Sequence, residues 1–156
     1  MSRTITRVAV IGAGTMGGGI AAHFANAGFQ VDLLDVPPPS LTPDEEKRGL
    51  TLDSPAVRNR FVNGGWDRVK KSRPAALFTA DTADRVRLGN TADHFGRLAD
   101  ADWIIEAIIE QLEPKRDLMA RIDAVRKPGS VVSTNTSGIP VSTIAAGCSQ
   151  SFRAHF

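Results

Sequence analysis

The sequence predicts an α/β fold, a doubly wound parallel sheet with helices on both faces. Three observations carry this. Short apolar runs rich in β-branched residues alternate with stretches of helical spacing along the whole chain, the pattern of strands joined by crossover helices. The first run, Arg7-Val8-Ala9-Val10-Ile11, is apolar at every position after the arginine, as a strand covered on both faces requires. Between that run and the first helical stretch the period switches at a cluster of glycines, Gly12, Gly14, Gly17, Gly18 and Gly19.

The elements follow in order. Gly12 ends the first strand, and Met16 to Asn26 reads as a helix, with Met16, Ile20, Phe24 and the adjoining Ala27 at helical spacing and Gly28 as the C-cap. Val31 to Asp35 is the second strand. Pro37-Pro38-Pro39 continues neither helix nor central strand and forms an extended segment. Thr42-Pro43-Asp44-Glu45 restarts a helix with a threonine cap, proline at the first position and glutamate three residues on. Ser54 to Ser72 reads as a helix burying Val57, Phe61 and Val69, and Gly64-Gly65 predicts a break, since glycine costs about 1 kcal/mol relative to alanine in a helix interior. Ala76-Leu77-Phe78 and Val86-Arg87-Leu88 read as short strands, Thr91 to Leu98 as a short helix and Asp102 to Ile109 as the strongest later strand. Leu112 to Val125 is a helix by the spacing of Leu118, Ile122 and Val125, stopped by Pro128-Gly129. Ser130 to Thr134 is a strand and Pro140 to Ala146 a short helix.

Composition narrows the function classes. A chain of 156 residues fits one domain that buries about two-thirds of its unfolded surface. The 19 basic and 17 acidic residues are spread evenly, giving +2, which is no electrostatic footprint for nucleic acid. Cys148 is the sole cysteine, so no intrachain disulfide forms and a reducing, cytoplasmic setting is expected. Arg3 and Arg7 before an apolar stretch, with Ala25-Asn26-Ala27 after it, imitate a secretory leader. The five glycines between Val8 and Ala22 interrupt that stretch, and no apolar run is long enough to span a membrane. No His, Cys, Asp or Glu set has metal-ligand spacing. His23, His94, Trp66 and Trp103 read as ordinary structural residues.

Gly12-Ala13-Gly14-Thr15-Met16-Gly17 matches G-x-G-x-x-G, a weak pattern alone. Here it follows a buried strand, opens a helix and is followed 21 residues after Gly14 by Asp35 at the end of the second strand, which together make the Rossmann dinucleotide fingerprint. Gly12 permits the tight turn, Gly14 lets the backbone approach a pyrophosphate and Gly17 lets helix and strand pack closely. The diphosphate then meets the free amides and positive end of the helix beginning at Thr15 and Met16. Asp35 accepts from the ribose hydroxyls and repels a 2′-phosphate, and no arginine follows it closely, so NAD is expected over NADP. FAD uses the same fingerprint and stays open at this point.

The string Val10 to Ala21, with its Gly-x-Met-Gly-x-Gly-Ile-Ala core, strongly resembles the opening of the 3-hydroxyacyl-CoA dehydrogenase family. Asp102 to Leu112 followed by Lys115, and Ser133-Thr134-Asn135-Thr136-Ser137, are similar to two further blocks of that family. Pro37-Pro38-Pro39 and Arg48-Gly49-Leu50-Thr51-Leu52 look most like its long bacterial members, which are fused to an enoyl-CoA hydratase-like region. The resemblance implies oxidation of a 3-hydroxyacyl-CoA to the 3-oxo thioester with hydride passing to NAD, a step of fatty acid β-oxidation. It also implies that Ala107 lines the NAD site, that Glu110 and Lys115 reach the nicotinamide-side ribose, that Ser137 hydrogen-bonds the reacting oxygen and serves the cofactor too, that Asn135 orders that loop, and that Lys70 and Lys71 meet CoA phosphates. Simpler readings stand beside these. Glu110 and Lys115 fit a helix-face ion pair, Ser137-Gly138 fits a turn before Pro140, and Lys70-Lys71 fits a solvated charge run. Glu106 reads as strand-end structure, and Gln111 stands where the family usually has Asn.

In the family the base is a histidine in a His-Phe-Phe-Asn-Pro string, followed by a helical domain that closes over the acyl chain and forms a homodimer. Ser151-Phe152-Arg153-Ala154-His155-Phe156 resembles the approach to that string. Residues 1–156 are therefore expected to be the NAD-binding part of a longer enzyme, binding NAD without turnover alone. The rivals are a dehydrogenase of another small hydroxy acid and a non-catalytic NAD-sensing domain.

Overall fold

The computed structural model describes residues 4–156; Arg3 of the leader-like pattern lies outside them. Five parallel strands, β1 (Arg7–Ile11), β2 (Gln30–Asp35), β3 (Val86–Asn90), β4 (Trp103–Glu106) and β5 (Val131–Thr134), form one sheet in the order β3-β2-β1-β4-β5. This is the Rossmann arrangement, whose order reverses beside β1. The register places Val10 opposite Leu33 on one side and Ile105 on the other. Val8, Ala9, Val10, Leu33, Leu34 and Ile104 are fully buried, as the unbroken apolar runs require.

Each sheet face has its own core. On one, α1 (Thr15–Asn26) and α4 (Arg60–Lys70) cover Val8, Val10, Val31 and Leu33. On the other, α5 (Leu112–Val125), α6 (Val141–Ile144) and α7 (Gln150–Arg153) cover Ala9, Ile11, Ile104 and Val132. The apolar area hidden by two such cores, at about 25 cal/mol per Å², is the main favourable contribution to folding. No helix among the described residues is long and apolar enough to cross a membrane.

The buried face of α1 consists of Gly17, Gly18, Ala21, Ala22 and Ala25, while Met16 stays exposed. Small side chains let the helix sit close on the sheet. Ala25 of the leader-like tripeptide is thus core. Gly28, with φ +95°, reverses the chain after the helix. The expected capping box is present on α2 (Pro43–Lys47): Thr42 accepts from the Glu45 amide, and Glu45 accepts from the Thr42 amide.

Five expectations need correction. The helical stretch from Ser54 breaks at Asn59, between α3 (Pro55–Arg58) and α4, and not at Gly64-Gly65. Gly65 lies inside α4 because that helix presses on the glycine turn, where a Cβ at residue 65 would stand 2.1 Å from the Ala13 carbonyl oxygen. Phe61 is exposed, and Val62 and Trp66 take its place in the core beside Val69. Ala76 to Phe78 is no strand, since the Asn26 side chain binds the Ala76 carbonyl and the Phe78 amide in place of a ladder. The Thr91 to Leu98 helix is a turn followed by a 3-10 segment at Phe95–Asp100, and β4 ends at Glu106, where Ala107 turns away against Gly12.

Candidate functional site

The site lies where β1 and β4 end side by side, the place at which the strand order reverses and open α/β sheets take their ligands. Gly12 adopts φ +103° and donates its amide to the Leu34 carbonyl. A Cβ there would meet the Ala107 carbonyl oxygen at 2.4 Å, so the turn and the close approach both exclude any side chain. Gly17 packs α1 onto the turn: its Cβ would stand 1.8 Å from the Gly12 oxygen. Gly14 differs, with ordinary backbone angles and nothing within 4 Å of a Cβ. It faces open space.

Gly14 is also the N-cap of α1, and no side chain caps that helix. The first-turn amides of Thr15 and Met16, both exposed residues, are therefore left for solvent or ligand. Asp35 stands across from them. Its Oδ2 accepts from the Ala13 amide at 2.8 Å and its Oδ1 from its own neighbour, Val36, at 2.7 Å. A cleft of about 330 Å³ opens between these parts, walled by Gly12, Gly14, Asp35, Val36, Ala107, Ile108, Ile109 and Pro114. It has apolar lips, a carboxylate and bare amides, the donor and acceptor set of an adenosine diphosphate. A larger hollow of about 430 Å³ lies at the opposite ends of the strands. There Arg87 engages Asp32 through two hydrogen bonds, at 2.7 and 3.0 Å, so the buried carboxylate is already satisfied.

The other half of the site is a loop after β5. Thr136 Oγ1 and the amides of Ser137 and Gly138 all donate to Glu110 Oε1. Hydrogen bonds from Thr136 and the Gly138 amide, then from the Ser137 amide, with the Lys115 charge nearby, hold the Glu110 carboxyl at about 2. Lys115 is only 1% exposed; its Nζ lies 2.7 Å from Glu106 Oε1 and 3.4 Å from Glu110 Oε2. The helix-face reading of Glu110 and Lys115 thus misses half of the arrangement, for the lysine's nearer partner is the fully buried Glu106. Ordering of the loop falls to Glu110. Asn135 contributes its main-chain amide to the Glu106 carbonyl, and its side chain makes no hydrogen bond among the described residues.

Lys70 and Lys71 end α4 outside the cleft, exposed, with Lys70 paired to Asp67 at 2.8 Å. Arg68, which the sequence did not single out, lines a hollow of about 200 Å³ shared with Gly14, Thr15 and Gly19. Helical spacing alone could have placed it on the α1 side of α4. His155 carries its Nδ1 2.8 Å from the Ser151 carbonyl, and its own carbonyl accepts from Val132. His94 accepts the Asn90 amide and Trp66 is core, as ordinary structural residues.

Glu110 is not alone in being depressed. Hydrogen bonds from Arg58 and Asn90 bring Asp93 to about 2. Burial pushes Asp102 up, but Lys127 and the Thr6 and Arg7 amides outweigh it and hold the carboxyl well below the usual range. A carboxyl lowered by folding stabilises the fold above its unfolded pKa of about 4 and loses that contribution as pH falls through the folded value. The thermal midpoint should therefore be flat near neutrality and fall steadily between about pH 4.5 and 2, with Glu110→Gln giving a shallower fall.

The family model for the 3-hydroxyacyl-CoA dehydrogenase NAD binding domain matches residues 7–156. The chain belongs to this family. A probable 3-hydroxyacyl-CoA dehydrogenase of Bacillus subtilis is 47% identical over 156 residues, all of this chain and 20% of that protein. An L-carnitine dehydrogenase of Streptomyces coelicolor is 34% identical over 137 residues, 88% of this chain and 37% of that one. The crystal structure of 3-hydroxybutyryl-CoA dehydrogenase from Escherichia coli superposes with a TM-score of 0.62 at 34% identity, covering 96% of this chain and 28% of that one. The chain thus spans well under half of each relative. As a 3-hydroxyacyl-CoA dehydrogenase NAD-binding domain it takes NAD, which closes the FAD alternative.

Proposed function

We propose that this chain provides the NAD site of an enzyme that oxidises 3-hydroxyacyl-CoA thioesters in fatty acid β-oxidation. The observation that carries the reading is the two-part site, a cleft with bare helix amides at Thr15 and Met16 and a carboxylate at Asp35, and a separate serine-bearing loop clamped by Glu110. NAD, when bound, supplies the hydride acceptor. The Gly12 to Gly17 turn and the α1 amides hold its diphosphate, Asp35 holds the adenosine ribose, and Ala107 lets the dinucleotide pass over the end of β4. Glu110, backed by Lys115, serves the second ribose. Ser137 donates its hydroxyl to the reacting oxygen and so fixes the carbon that loses hydride. Lys70 and Lys71, with Arg68 beside the glycine turn, supply positive charge for CoA phosphates.

The carnitine dehydrogenase relative supports a second reading, a free hydroxy acid as substrate. The two separate in one assay of the complete gene product. Efficient acetoacetyl-CoA reduction by NADH, with free 3-hydroxybutyrate and L-carnitine at least a hundredfold poorer in kcat/KM, supports the thioester reading. Equal or better turnover of the free compounds overturns it.

A further inference from the structure

The buried pair of Glu106 and Lys115 has no role in the function proposed above beyond backing Glu110. Both side chains are essentially inaccessible, at 0% and 1% exposure. Burying two charges removes their hydration, and a well-packed apolar pair of the same volume is often as stable. Stability alone therefore does not account for this pair.

Its connections do. Glu106 Oε1 accepts from Lys115 Nζ and from the Ile108 amide, each at 2.7 Å, and Oε2 accepts from Thr134 Oγ1 at 2.5 Å. One carboxylate thus joins the end of β4, the end of β5 and the first turns of α5. Lys115 extends the chain of contacts to Glu110, whose other oxygen holds Thr136, Ser137 and Gly138.

We propose that Glu106 is a positioning residue of the dinucleotide site, fixing Lys115 and through it the Glu110 clamp that sets the Ser137 loop. Glu106 reaches the cleft only through the Ile108 main-chain amide and touches no loop side chain beyond Thr134. Its effect is to divide Lys115 between two carboxylates. Once residue 106 is neutral, the ammonium has only Glu110 as a charged partner. The Glu110 carboxylate is then drawn toward α5 and away from the loop amides. The Gly12 to Gly17 turn and Asp35 share none of these hydrogen bonds, so the adenosine half of the site keeps its shape.

This inference rests on the dinucleotide reading, and the test separates the two. Glu106→Gln is compared with the parent chain for amide hydrogen exchange at Ser137 and Gly138 and for affinity toward NADH and toward ADP. The expected result is exchange at both amides faster by tenfold or more, NADH bound at least tenfold more weakly, and ADP bound within twofold of the parent. Loop exchange that stays at the parent rate, or NADH and ADP weakened in step, overturns the proposal. Glu106→Asp, which keeps the charge but withdraws it by one methylene from Lys115 and Thr134, should move the same quantities in the same direction by a smaller factor. It decides by the same criteria if the glutamine variant does not fold. A parent chain that binds neither NADH nor ADP would sink the functional reading, while the exchange rates still decide the positioning role.

Discussion

Gly17→Ala is expected to lower stability by about 3 kcal/mol, the upper end for forcing an extra methyl into a packed interior. The methyl would stand 1.8 Å from the Gly12 carbonyl oxygen and 2.9 Å from its carbon. Both are main chain in a turn that is itself pinned, since Gly12 donates to Leu34 and abuts Ala107. Neither can retreat by a side-chain rotation. In a thermal melt this amounts to a midpoint lower by about 10 °C for a chain of this size. Gly14→Ala is the matched comparison. Its φ of −67° suits any residue and its Cβ meets nothing, so stability should stay within about 0.5 kcal/mol. Its methyl instead occupies the approach to the α1 amides, and NADH affinity should drop by about tenfold or more, 1.4 kcal/mol. A Gly17→Ala protein that melts with the parent would contradict the packing role. A Gly14→Ala protein that binds as the parent would contradict the approach.

Lys115→Ala should be about as damaging, at about 3 to 5 kcal/mol, because it leaves the Glu106 carboxylate buried without its cation. The remaining donors, the Ile108 amide and the Thr134 hydroxyl, are neutral. Replacing the pair together, Glu106→Gln with Lys115→Met, removes both charges and should recover most of the loss, to within about 1 kcal/mol of the parent. Urea midpoints of the three proteins measure this directly. If the single variant unfolds at the parent's midpoint, the pair is not a buried charge pair in solution.

The strands β1, β2 and β3 and the helices α1 and α5 were legible because each depends on a local pattern. Val8 to Ile11 is apolar throughout, and Leu118 and Ile122 repeat at helical spacing. Asp35 was legible for the same reason, being set by distance along the chain from Gly14. What the sequence could not display is contact between segments. Propensity opposes Gly65 in a helix, but the structure keeps it there because α4 lies against the Ala13 carbonyl. Asn26 satisfies the backbone of Ala76 and Phe78, so an apolar tripeptide forms no strand. Glu106 and Lys115 are separated in sequence by a strand end and a helix start, and only the fold brings their charges to 2.7 Å. The same holds for Glu110, whose hold on residues 136 to 138 spans two elements.

The central claim is that main-chain amides and one carboxylate hold the dinucleotide, and titration calorimetry with NADH tests it most directly. The chain should bind one NADH, prefer it to NADPH by at least tenfold because Asp35 repels the extra phosphate, and lose at least tenfold in affinity on Asp35→Ala. Asp35→Asn, which keeps an acceptor for the Ala13 amide, should fold as the parent and still lose that preference for NADH. Absence of heat with NADH, or an Asp35→Ala protein that binds as tightly as the parent, would contradict the account.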